Sequence, residues 1–225
     1  MNKQQNSEPM HVSLAASLRR RIVRWHYTPG TYILESDICN EFGVSRSPAR
    51  EALKMLSATG FLENTGRRGY RVVQPDAKGA LQLYEARLAI EVYVIQKVVE
   101  SHADPAVLAE LRSAWENPGA LEEKTPEELA GADRSFHERL ASLAGNDVLS
   151  DLLARIDERL DIFREIEFTN PNVPRQTSIQ HLAILDAVAA GDPGRARKAI
   201  EENISTAMRN VEHNIKEVLA RAYGM

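Results

Sequence analysis

Apolar residues recur at steps of three and four along most of this 225-residue chain, the period of helices with one buried face. Leu14, Leu18, Ile22 and Trp25 form the first such stripe, which predicts a helix over 12–26 stopped by Thr28-Pro29-Gly30. Ile38 and Phe42 mark the inner face of a short helix capped by Ser36 and ended by Gly43. Ala49, Ala52, Leu53 and Leu56 mark the next, with Ser45 as its N-cap, Pro48 in its first turn and Gly60 at its end. The pattern then shortens to two strand-like runs, 61–64 and 70–73, around Thr65-Gly66-Arg67-Arg68-Gly69. After a break at Gln74-Pro75-Asp76 the helical period returns and persists. Its first helix, 77–102, carries Leu81, Tyr84, Leu88, Val92, Ile95 and Val99 inward. Further helices are expected over 104–115, 125–144, 147–168, 173–190 and 193–223, with Asn117-Pro118-Gly119 as a turn and Thr125-Pro126-Glu127-Glu128 as a strong helix start.

These elements predict a mainly α protein: an N-terminal winged helix-turn-helix, then an all-α bundle of six helices. The expected division is a flexible N-terminus over 1–10, the winged helix-turn-helix over 11–75, and the all-α bundle over 76–225. The length suits two domains.

Charge sharpens this division. Residues 1–76 carry 11 Lys and Arg against 7 Asp and Glu, whereas the remainder is acidic enough to bring the whole chain to −4. A basic head on an acidic body points to a polyanion approached by the head alone. The single cysteine, Cys39, excludes an intramolecular disulfide and fits a reducing cytoplasm, either as a small buried residue or as a redox sensor. The polar N-terminus does not read as a secretory signal, and no apolar run is long enough for a bilayer.

In a helix-turn-helix the second helix enters the major groove by its N-terminal residues. Ser45, Arg46, Ser47 and Arg50 occupy that position, and either arginine can fork onto guanine. Arg67, Arg68 and Gly69 form the tip of the wing, placed for a phosphate backbone or the minor groove. The run Arg19, Arg20, Arg21 and Arg24 reads either as a solvated face or as phosphate contacts.

Within the bundle a few polar residues interrupt apolar stripes. Asp133 and His137 are four apart on one helix face, His181 precedes Ile184, Leu185 and Val188, and Asn203 sits among Ala196, Ala199, Ile200 and Ala207. Polar groups on inward faces need partners, which here are either one another or a bound metal or small ligand.

The run Gly43-Val44-Ser45-Arg46-Ser47-Pro48-Ala49-Arg50-Glu51-Ala52-Leu53, with Gly60-Phe61-Leu62 and Arg68-Gly69-Tyr70-Arg71-Val72, resembles the DNA-binding domain of GntR-family transcription regulators, with Ala49 in place of the usual Val. Residues 77–223 resemble the ligand-binding domain of the FadR-like (FCD) branch, in its shorter, VanR-like, six-helix variant. The resemblance implies a homodimer on a palindromic operator. It also implies a divalent ion, such as zinc or nickel, held by one Asp and three His and in turn holding a carboxylate effector. Asp133, His137 and His181 match three of those ligands, and Asn203 stands where the third histidine is expected; His213 is rotated off that face. The same branch offers an Arg and a Glu four apart on its first bundle helix, here Arg87 and Glu91, either as an effector clamp or as an intrahelical ion pair. The expected function is therefore an effector-responsive DNA-binding repressor, cytoplasmic and not an enzyme. One alternative is a ligand-blind DNA-binding protein whose bundle only dimerises. A metal-dependent hydrolase on Asp133, His137 and His181 lacks an evident nucleophile or base and leaves the basic head unexplained.

Overall fold

A computed structural model describes residues 9–223, which fall into two compact units divided between Pro75 and Asp76. Residues 1–8 of the expected flexible N-terminus lie outside the described residues, and Met10 already belongs to the first helix.

The first unit contains α1 (Met10–Val23), β1 (Tyr32–Ile33), α2 (Glu35–Phe42), α3 (Arg46–Ala58), β2 (Leu62–Asn64) and β3 (Tyr70–Val72). Leu14, Leu18 and Ile22 are buried as their spacing requires, but Trp25 is not on that face. It lies past the end of α1 with φ 62°, while His26 N–H reaches back to the Arg21 carbonyl, so the helix closes three residues early in a left-handed turn. The α2 helix begins at Glu35, one residue before the expected cap Ser36; the Asp37 carboxylate instead accepts from Leu34 N–H at 3.2 Å. Gly43 ends α2 at φ 65°. Ser45 is the N-cap of α3, though its hydroxyl makes no capping hydrogen bond, and Ala49, Ala52, Leu53 and Leu56 are buried against α1.

Three strands, not two, make the wing, in the order β1-β3-β2, all antiparallel. The added strand is two residues long, Tyr32 facing Arg71 and Ile33 facing Tyr70. The tip is a 3-10 turn over Gly66–Arg68, closed by Thr65 N–H to the Gly69 carbonyl. Gly69 has φ 81°, and a β-carbon there would stand 2.6 Å from the Ile33 carbonyl oxygen. Glycine is therefore required where the hairpin crosses β1.

The second unit is all-α: α4 (Ala77–Glu100), α5 (Pro105–Ser113), α6 (Pro118–Glu122), α7 (Pro126–Ser142), α8 (Asp147–Glu167), α9 (Val173–Ala189) and α10 (Pro193–Tyr223). That is seven helices among the described residues, because the run read as a turn opens the five-residue α6, with the Asn117 side chain accepting from Ala120 N–H. Thr125 and Glu128 cap α7 reciprocally, and Asn146 caps α8. The long α10 packs on α4, α8 and α9, and α7 packs on α8. Most of the core is aliphatic and aromatic, from Tyr84 and Ile95 through Trp115, Phe136 and Leu160 to Ile200 and Ile204. On α4, Tyr84, Ile95 and Val99 of the expected set are buried, together with Ala80, Arg87, Glu91, Val94 and Val98, while Leu81, Leu88 and Val92 are half-buried. The inward face is partly rotated from the expected one, and it carries an ion pair to the centre. None of the described helices is long and apolar enough to cross a membrane.

Candidate functional site

The exposed side of α3 presents Ser45, Arg46, Ser47 and Arg50, and the wing tip presents Arg67 and Arg68, all exposed. Gly69 is less exposed and serves the backbone path just described. Two of these cations differ in an informative way. Among the described residues no ion pair engages Arg46, whereas Arg50 is tied to Glu35 by two parallel bonds, Nε to Oε1 at 2.9 Å and Nη2 to Oε2 at 3.1 Å. The arginines of α1 turn partly inward to their own unit. Arg19 lies over the Phe61 ring, and Arg21 lies over Phe42 and pairs with Glu41. Cys39 is half-buried in α2.

In the second unit Asp133 and His137, one turn apart on α7, meet His181 of α9, and one potential ligand atom from each lies within 4.8 Å of the others. All three are buried. The reason for each orientation can be followed outward. Glu91 of α4 faces His137, with Oε2 at 2.6 Å from Nδ1. Burial alone would raise the Glu91 carboxyl, but Arg87 and His137 outweigh it and hold it down to about 2. Glu91 is therefore an acceptor, so Nδ1 of His137 directs a hydrogen to it. The Nε2 of His137 is buried with no hydrogen-bond partner, 3.8 Å from Asp133 Oδ1.

His181 is clamped between aromatic rings, stacked on Phe136 at 3.8 Å and edge-on to Trp115 at 4.3 Å. Burial lowers its pKa to about 4, with Asp133 opposing, so the ring is neutral around pH 7. Its Nε2 lies 3.2 Å from Asp133 Oδ1 but off the line of a hydrogen bond, and Nδ1 has no partner either. Asp133 is held from behind: Arg164 Nε donates to its Oδ2 at 2.9 Å. Burial would raise the Asp133 carboxyl; the two imidazoles and the Arg164 guanidinium overcome this and keep it well below the usual range. Arg164 also donates to the Asp157 carbonyl at 3.0 Å and to its carboxylate at 2.5 Å. Two buried guanidiniums, Arg87 and Arg164, with the partly exposed Arg134, thus face four buried carboxylates, Glu91, Asp133, Asp157 and Asp161, a formal excess of negative charge among these groups in a low-dielectric core.

This donor set fits a divalent ion. It offers two imidazoles, one ionised carboxylate, ring nitrogens without hydrogen-bond partners at the shared vertex, and a carboxylate behind His137 of the kind that orients metal-ligating histidines. Beside it lies a cavity with about 30 Å³ of free space, room for one or two waters, bordered by Tyr84, Arg87, Asp133, Arg164, Gln180 and Asn203 among others. Arg87 makes the intrahelical ion pair, Nε to Glu91 at 2.5 Å, while its Nη2 is buried without a hydrogen-bond partner and the residue lines the cavity. Asn203 also lines it, giving a hydrogen from Nδ2 to Gln180 Oε1 at 3.0 Å. Gln180 in turn gives one to Thr206 Oγ1, which gives its own to the Glu202 carbonyl and also accepts from Arg209. His213 is exposed on α10, beside Glu217, and takes no part. Sequence reasoning missed Arg164 and Asp157. Their signal was charge on the α8 face that carries Leu153 and Leu160.

A winged helix-turn-helix followed by an all-α unit with a polar heart defines a class, the DNA-binding transcription regulators. The chain belongs within it to the gntR family of bacterial regulatory proteins: residues 11–72 match the model of that family and residues 82–206 the FCD domain. The Nta operon transcriptional regulator of Aminobacter aminovorans is 30% identical over 74% of this chain and 78% of its own. The HTH-type transcriptional repressor RspR of Escherichia coli is 24% identical over 91% of this chain and 90% of its own. Among solved structures, E. coli McbR/YncC shares the fold at TM-score 0.69 and 19% identity, over 92% of this chain and 98% of that one.

Proposed function

We propose that this chain is a ligand-responsive repressor acting in the cytoplasm. The unit 11–75 binds a palindromic operator as one half of a homodimer, through Ser45, Arg46, Ser47, Arg50, Arg67, Arg68 and the Gly69 turn. The unit 76–225 holds a divalent ion, zinc or nickel, on Asp133, His137 and His181, and takes a small organic acid in the cavity beside it, near Arg87 and Asn203. A repressor role is supported by the likeness to RspR. The observation that carries the sensing role is the pair of unpartnered imidazole edges at His137 and His181 facing Asp133 Oδ1 inside a core with excess negative charge. Leaving buried donors and acceptors unmet costs roughly 1–3 kcal/mol each, a cost that an occupant removes.

When bound, the ion supplies a positive centre to which a carboxylate can attach. The chain's own residues do the rest. Glu91 orients the His137 ring, Arg164 fixes Asp133, and the free Nη2 of Arg87 offers a donor to an acid in the cavity. An effector acts only if it favours one arrangement of the protein over another.

Metal analysis of the purified chain, with melting curves in zinc or nickel and with small carboxylates, tests this reading. Bound metal should be lost in His137→Ala, and Glu91→Gln should weaken metal binding by about 10–100-fold. Binding to the folded state raises the melting temperature. No metal in the parent chain and no rise with any acid would leave the second unit as a dimerisation module.

A further inference from the structure

The head places one carboxylate where DNA would approach. Glu35, the first residue of α2, sits among cations: the Arg50 hydrogen bonds, with Arg46 and Lys54 further off, hold its carboxyl below the usual range against slight burial. A negative charge there weakens attraction to phosphates, so it calls for a compensating role. The geometry is specific. Both oxygens engage Nε and Nη2 of Arg50, so the planar guanidinium is held along one edge, with side-chain exposures of 52% for Arg50 and 31% for Glu35. A guanidinium has five N–H groups in a rigid fork. Use of the Nε edge leaves the Nη1 edge facing solvent, and among the described residues no hydrogen bond engages Nη1. Arg46, one turn earlier on the same face, has no such clamp.

We propose that Glu35 is a positioning residue for sequence recognition: it fixes the plane of the Arg50 guanidinium so that its free edge forks onto the O6 and N7 of one guanine in each half-site. This rests on the DNA-reading role of the head proposed above. Holding the side chain before binding removes rotamer entropy that a free arginine loses on contact. Arg46, unclamped, adapts to phosphates or to flanking bases.

The test is selection of bound duplexes from a random pool by the full chain, comparing wild type, E35Q, R50K and the double variant, with melting temperatures alongside. Wild type should enrich a palindrome with guanine at one fixed position per half. E35Q should keep the palindrome and lose that guanine preference, with specific affinity lower by about tenfold, the order expected for one bidentate base contact. R50K should lose the same preference, and the double variant should be no worse than R50K, as two residues acting through one contact require. A guanine preference undiminished in E35Q, whatever its melting temperature, overturns the proposal. So does tighter binding of E35Q to every sequence, which would make Glu35 a shield, or a uniform loss in R50K without change of base preference, which would put Arg50 on phosphate. A wild-type chain that enriches no sequence overturns the DNA-reading role itself, a result separable from all of these. If E35Q does not fold, E35D carries the test, since the shorter acid keeps the charge and breaks the two-point clamp.

Discussion

Both units tie a guanidinium to carboxylate, Arg50 by a two-point fork on Glu35 and Arg164 by one bond each to Asp133 and Asp157, and the two arrangements do opposite work. Arg50 and Glu35 meet at the surface of the head, where water screens them and such a pair adds little to stability. Arg164 meets Asp133 and Asp157 in the bundle at 2% exposure, where each charge has lost several kcal/mol of hydration and only its partners make the arrangement tolerable. The first pair contributes little to the fold, and on the proposal above its value lies in where it aims a donor. In the second, the fold depends on the pairing, and the carboxylate aimed by it, Asp133, belongs to the buried cluster. Aliphatic packing alone would stabilise either unit more simply. The charges mark what each unit is built to meet.

Arg164→Leu should produce the largest effect, because it leaves Asp133 buried without its guanidinium and Asp157 with only the more distant Arg87: about 3–5 kcal/mol of lost stability by denaturant titration. Arg50→Ala should leave the midpoint of the same titration almost unchanged, because water already screens its pair. Equal costs for the two would dissolve the contrast between the pairs.

Glu167 gives a smaller, pH-dependent signature. Burial pushes its carboxyl from 4.5 up to about 7, against a hydrogen bond from Asn210. The folded state then binds this proton more tightly than the unfolded chain. The associated stability is present in full below about pH 4.5, declines as pH rises towards 7, and levels off beyond. Melting curves between pH 5 and 8 should fall by a few degrees across that window, and Glu167→Gln should flatten them. A wild-type curve that is flat or rising through the window would mean that other buried carboxylates outweigh it.

The smallest effect separates two helix starts that look alike in sequence. Thr125→Ala should cost about 1 kcal/mol, since its hydroxyl accepts from Glu128 N–H. Ser45→Ala should cost a few tenths at most, because no capping bond is made. If Ser45→Ala weakens DNA binding while leaving stability unchanged, its hydroxyl serves the partner and not the helix.

What could be read from the chain, and what could not, follows the range of the interactions. The start of α7 is written in four adjacent residues, and the buried face of α3 in one repeating step. Strand β1 escaped notice because two residues carry no periodicity; pairing with β3 defines it. Trp25 looked like the last member of a stripe, but a left-handed turn, decided by the chain beyond it, takes it away. In the bundle, Asp133, His137 and His181 stood out because each breaks an apolar face. Arg164 and Asp157 break one just as clearly on α8, yet charged residues are ordinarily assigned to water, and only three-dimensional packing shows them inside. The same bias rotated the expected face of α4 off Arg87 and Glu91.

The chain of amides that ends at Asn203 has a direction. The hydroxyl of Thr206 spends its one hydrogen on the Glu202 carbonyl and receives from Arg209, so the Gln180 amide nitrogen must point towards Thr206 and its oxygen towards Asn203. Asn203 must then turn its own nitrogen to Gln180, which leaves its carbonyl oxygen as the end not spoken for. A backbone carbonyl of α10, that of Glu202, thereby dictates, through one hydroxyl and two amides, the polarity of one wall of the cavity. The arrangement works like a row of magnets set by the first, and an occupant of that corner should bring a hydrogen or a positive charge to match.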